Sequence, residues 1–179
     1  MLTLKDYARM TEEERAKQDI GAVNLACAQG LPGADQIDVA GCLSWLDLAK
    51  TNVEQATERW FVQFHRNPQK FENSEARFRA RCLITVLQRD LGVKYNVAKI
   101  PTDVPFDTAD SFIHGVIQGP GGTCVTLAVV YVAVGWRLGY PPSIRVAALV
   151  DSKRDSGSIS LQHEYPGGTP NFRLEAPHV

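Results

Sequence analysis

Apolar residues recur every three to four positions through the first half of the chain and every second position near its end. That change of period predicts helices first and strands last. The first helix is expected from Thr11, where Glu12, Glu13 and Glu14 suit the positive end of a helix, to about Gln29, before the Leu31-Pro32-Gly33 turn. A second helix begins near Asp38. It carries Leu43, Leu46, Leu48, Val53, Ala56, Trp60, Phe61 and Phe64 as its apolar positions and stops at Asn67-Pro68. A third follows a cap at Asn73 or Ser74, buries Phe78, Cys82, Leu83, Val86 and Leu87, and closes at Gly92.

Residues 93–122 read as a long connection, rich in proline and glycine. Phe106, Phe112, Ile113, Val116 and Ile117 imply that it packs onto the body. The next segment is apolar almost all round. Thr123 caps it, Gly139 follows its last turn, and Pro141-Pro142 lie beyond. Such a helix is expected at the centre of the core, with Val129, Val130, Val132 and Trp136 largely buried. After it, residues 144–150, 158–165 and 171–175 read as strands, the last two joined by the Pro166-Gly167-Gly168-Thr169 turn. The expected fold class is α+β: a single domain over 1–179, with a helical part (1–92), the packed connection (93–122), and a central helix with a small antiparallel sheet (123–179).

Composition narrows the function classes. The chain has 179 residues, 44% hydrophobic and 22% charged, with 19 Lys+Arg against 20 Asp+Glu. That balance gives no electrostatic footprint for nucleic acid or for an anionic membrane. The N-terminus lacks the apolar core of a signal peptide, and the nearly apolar run from Cys124 is too short to span a bilayer. A cytoplasmic protein is the expectation. Four cysteines at 27, 42, 82 and 124 include no C-x-x-C pair, so neither a zinc ribbon nor a thioredoxin-like site is expected. Cys27, Cys42 and Cys82 sit among apolar neighbours and read as small core residues.

Cys124 is different. It opens the apolar helix behind Gln118-Gly119-Pro120-Gly121-Gly122-Thr123. Free N–H groups and the helix dipole at that place favour a thiolate, and the glycines let a substrate approach. The Cys124 N–H is suited to hold a developing oxyanion. A phosphate loop would need Lys and Ser or Thr after the last glycine, and neither the spacing nor a leading strand is present.

Phe112-Ile113-His114-Gly115, Gly122-Thr123-Cys124, the apolar helix and Arg137-Leu138-Gly139-Tyr140-Pro141 together resemble the bacterial transglutaminase-like superfamily, which has a papain-like core. Asn73-Ser74-Glu75-Ala76-Arg77-Phe78-Arg79, Thr85-Val86-Leu87 and Gly92-Val93-Lys94-Tyr95-Asn96 resemble the helical part of its uncharacterised members. The resemblance implies a Cys–His–acid triad in chain order. Cys124 would be the nucleophile and Glu175 the residue that orients the imidazole. The family histidine position matches Ser158, which cannot serve as a base. The nearest histidine is His163, 12 residues before Glu175, on the strand face opposite Ser158 unless a bulge intervenes. His114 and Gln118 are candidates for the cleft or the oxyanion hole; the six-residue spacing of Gln118 from Cys124 resembles that of papain-type proteases.

Two functions are open on this basis. One is a cysteine-dependent acyl-transfer enzyme acting on a peptide or protein substrate, by hydrolysis of amide or isopeptide bonds or by transamidation. It implies no metal and no organic cofactor. The other is a binding protein that keeps the cleft and has lost its base at Ser158.

Overall fold

The computed structural model describes residues 2–99, 105 and 107–140, and the backbone of 142–145 and 160–163. Eight α-helices carry it: α1 Leu4–Arg9, α2 Glu12–Ala16, α3 Ile20–Ala28, α4 Val39–Arg66, α5 Glu75–Thr85, α6 Thr108–Ser111, α7 His114–Ile117 and α8 Cys124–Arg137. Strand β1 (Pro142–Arg145) pairs antiparallel with β2 (Ser160–His163), Pro142 opposite His163.

The expected helix from Thr11 to about Gln29 is two helices, α2 and α3, and α1 precedes them. Thr3 and Thr11 each close a capping box, and Asp19 starts α3 by accepting from the Ala22 N–H at 2.8 Å. The polar run from Glu12 to Asp19 has no apolar stripe to hold a continuous helix against a core, and neither α1 nor α2 buries a residue. The second helix matches its expected bounds, with Asp38 accepting from the Gly41 N–H at 2.8 Å. Its buried line is Val39, Cys42, Leu46, Ala49, Val53 and Ala56. Leu48, expected on that line, is exposed. Ser74 caps α5, whose last turn widens over Val86–Asp90, the Leu91 N–H reaching the Val86 carbonyl at 3.0 Å. Residues 93–122 are not plain connection: a short turn at Val97–Lys99, α6 and α7 lie within them.

The α+β expectation does not hold. The described structure is helical, and its strand content is one four-residue ribbon. The cause is where α8 finds cover. It packs against α3, α4, α5, α6 and α7, and against β1, so among the described residues its apolar surface is covered mainly by helices. Val130, Val132 and Val134 are fully buried there, each contributing about 1.5–3 kcal/mol by removal from water. Of the expected strands, 144–145 and 160–163 fall in the ribbon, whereas 146–150, 158–159, 164–165 and 171–175 lie outside the described residues. The helix is also not buried on every face: Val129 is half-buried and Trp136 is 45% exposed.

Arg137 closes the bundle. Its guanidinium, 13% exposed, meets Asp19 of the α3 cap at 2.9 Å and Asp47 of α4 at 3.1 Å. Three helices are thereby fixed around the C-terminal end of α8. No helix among the described residues is long and apolar enough to cross a membrane.

Candidate functional site

The other end of α8 holds Cys124. It is the first helical residue and is exposed, whereas Cys42 and Cys82 are buried and Cys27 is half-buried. The Leu127 N–H is the first to bond back along the helix, reaching the Thr123 carbonyl at 2.9 Å. The N–H groups of Cys124 and Val125 therefore have no acceptor within the helix. A thiol with two free donors beside it is the arrangement that an acyl oxyanion requires.

The backbone that presents Cys124 is strapped down over three residues. Gly121 has φ +136, a conformation closed to side chains, and a Cβ there would lie 2.8 Å from the Lys94 carbonyl oxygen. A Cβ on Gly122 would come within 2.4 Å of a Val116 methyl and 2.5 Å of Thr126 Oγ1. Gly122 also pairs in parallel with Tyr95. Its N–H donates to the Lys94 carbonyl at 3.1 Å, and its carbonyl accepts from the Asn96 N–H at 2.8 Å. Thr123 is buried; its N–H donates to Thr126 Oγ1 at 2.7 Å and its hydroxyl to the Asp110 carbonyl at 2.9 Å. The glycines thus serve close packing beneath the thiol.

A polar group that sequence reasoning passed over borders this strap. Lys99 reaches the Asp110 carboxylate at 2.7 Å and that of Asp107 at 3.5 Å, and donates to the Pro105 carbonyl at 2.9 Å. Asp110 is 3% exposed. Burial pushes its carboxyl up, but the Asp107 N–H and the Lys99 ammonium outweigh that and hold it below the usual carboxylate range. Lys99 is raised in turn, chiefly by its bond to Asp110. The Tyr95 phenol is pushed up by burial, and further by the negative charge that Cys124 and Asp110 place near it. It therefore keeps its proton at neutral pH. The capping pattern of Asp107 and Asp110 was readable in the sequence; its place under Cys124 was not, because it depends on how α6 folds back on α8.

The remaining candidates are distributed as follows. Gln118 donates its side-chain amide to the Asp38 carbonyl at 3.2 Å, tying the loop to the start of α4. His114 is buried in α7, its ring nearly parallel to that of Phe112 at 6.5 Å. Burial depresses its basicity, against a smaller opposing pull from Asp107. His163 ends β2, and only its backbone is described. Ser158 and Glu175 lie outside the described residues. Among the described residues no three His, Cys, Asp or Glu side chains gather as a metal site.

No family model, no curated protein and no solved structure matches the chain.

Proposed function

We propose that this chain is a cysteine-dependent acyl-transfer protein, the activity that its resemblance to transglutaminase-like proteins implies. The observation that carries the reading is the exposed Cys124 at the start of the fourteen-residue helix α8, over a backbone strapped at Gly121, Gly122 and Thr123. In this reading Cys124 Sγ attacks the carbonyl carbon of a peptide or protein amide. The carbonyl oxygen takes up the negative charge, opposite the N–H groups of Cys124 and Val125. His163 accepts the thiol proton and returns it to the departing amine, and Glu175 orients its ring. Water or a second amine then opens the thioester and frees the thiol. The exposure of the thiol supports a macromolecular acyl donor.

The test uses p-nitrophenyl acetate as acyl donor. Peptide mapping should find the acetyl group on Cys124, and nitrophenol release should continue past one equivalent. Cys124→Ala should lose both, and His163→Ala should lose turnover. Acetylation of Cys27 ahead of Cys124 would overturn the reading. A single equivalent released from Cys124, with no further turnover and no dependence on His163, would favour the binding protein without a base.

A further inference from the structure

The buried imidazole of His114 has no part in the acyl-transfer reading, and its surroundings do not fit an ordinary core histidine. The residue is 7% exposed, and neither Nδ1 nor Nε2 has a hydrogen-bond partner among the described residues. Buried ring nitrogens are normally paired, so an orphaned pair marks a place where the structure holds a cost in reserve. The ring belongs to α7, a single turn whose backbone is held elsewhere. The Ile113 N–H bonds to Asn24 Oδ1 of α3 at 2.9 Å, and the His114 carbonyl accepts from the Gln118 N–H at 2.7 Å.

The α6–α7 layer is also what clamps the approach to Cys124. The Asp110 carbonyl holds the Thr123 hydroxyl at 2.9 Å. The Gly115 carbonyl accepts from the Gly121 N–H at 3.4 Å, and Val116 fills the space over Gly122. Three successive residues before Cys124 are therefore gripped by residues 110–116, and His114 lies in the middle of the grip. We propose that His114 is a proton-operated latch: protonation of its buried ring loosens the α6–α7 layer and releases residues 121–123 beneath Cys124. The latch does not depend on Cys124 being a nucleophile.

The surrounding charges set the direction. The titratable groups at the ends of the elements around α7 are Asp107 and Asp110 of α6, Lys99 of the turn before it, Asp38 at the head of α4 and Cys124 at the head of α8; Cys42 lies further along α4, Tyr131 further along α8, and Tyr95 pairs with the strap at Gly122. The α3 contact is the neutral Asn24. Of these, Asp107 acts on the ring in the sense that favours a proton, and burial outweighs it. Asp107 and Asp110 already share Lys99, so a cation on His114 finds the neighbouring carboxylates taken. An opened layer hydrates the imidazolium, and a closed one does not. The proton therefore favours the open form, and the opening falls below the ordinary histidine range near pH 6.5.

Amide hydrogen exchange tests this, read at Val116, Gly121 and Gly122 and corrected for intrinsic rates. Going from about pH 7.5 to about pH 5 should speed exchange at these amides by roughly tenfold or more, leaving Val53 and Val130 in the core unchanged. His114→Phe, which keeps an aromatic ring against Phe112, should abolish the acceleration. Equal acceleration in His114→Phe, or none in the wild type, overturns the latch. Should the variant fail to fold, the wild-type ring resonance of His114 decides. Titration below the free-imidazole value, with a midpoint matching the exchange change, supports the latch; titration at or above that value sinks it.

Discussion

The hydroxyl of Thr123 donates to the main-chain carbonyl of Asp110 at 2.9 Å, joining the residue before the exposed thiol to the buried end of α6. Both residues are buried, and the Thr123 hydroxyl has Thr126 Oγ1 at 3.3 Å as a second, longer contact. Thr123→Val keeps the shape and removes the bond, leaving the Asp110 carbonyl unsatisfied. The expected cost is about 1–3 kcal/mol, read as a lower urea midpoint with an unchanged slope. Thr123→Ser retains the hydroxyl and should recover most of that loss. If valine and serine are equally destabilising, the lost methyl packing or the cap geometry matters and the bond does not.

The four thiols should separate by reactivity. Burial, with Asp38 adding to it, pushes Cys42 up to about 11, and burial raises Cys82 as well. Both are therefore thiols at neutral pH and shielded from reagent, whereas Cys124 is exposed. Iodoacetamide at neutral pH should modify Cys124 first, Cys27 next, and Cys42 and Cys82 only on unfolding. Peptide mapping over time checks the order. Faster labelling at Cys42 or Cys82 would mean that the core around α4 and α5 opens more readily than its packing indicates.

The Lys99–Asp110 pair gives stability a defined acid limb. Asp110 has its folded value lowered below its unfolded one, near 3.9, so its contribution is complete above that value and is lost as pH falls through the folded one. Lys99→Met should therefore be more harmful at about pH 6, where the carboxylate is ionised and left without its ammonium, than at about pH 3, where it is protonated. Urea midpoints for wild type and variant at both pH values give the comparison. An equal deficit at the two pH values would show that the lysine acts through its aliphatic stem.

Where caps and period agreed, the chain was readable. Asp38 and Asn67-Pro68 bracket α4, Ser74 opens α5, and Thr123 opens α8, each by a local side-chain or backbone constraint that needs no knowledge of the rest. The short helices α6 and α7 were not readable, because four residues carry no period; capping at Asp107 and packing against α8 make them. The α+β reading weights the alternation near the end of the chain, whereas the described residues are helical apart from the β1–β2 ribbon, and α3, α4 and α5 supply much of the cover of α8. The place of Cys124 at the first turn of a helix was legible from Thr123 and the glycines before it. Tyr95 and Asp110 were not, since their nearness to the thiol is created by the Tyr95–Gly122 bridge and the Thr123–Asp110 bond, both between segments distant in sequence. Trp136 shows the reverse case: an apolar residue on an apolar helix that stays 45% exposed, although Arg137 beside it is held between α3 and α4.

The acyl-transfer reading depends most on its base, and two substitutions isolate it. If His163 takes the proton of Cys124, an imidazole beside the thiol raises the nucleophilic fraction at neutral pH. His163→Ala should then slow iodoacetamide labelling of Cys124 by roughly tenfold near pH 7 and leave Cys27 unchanged. Ser158→Ala should alter neither rate, since a serine hydroxyl is not a base at that pH. Ser158→His places an imidazole at the position of the family histidine. Where His163 is the working base, that change leaves the rate near wild type. The informative contrast is the opposite outcome: Cys124 labelling indifferent to His163→Ala but accelerated by Ser158→His. That pair of results would remove the base from the natural chain, leave its thiol without general-base help, and turn the assignment from an acyl-transfer enzyme to a binding protein built on the same cysteine-headed helix.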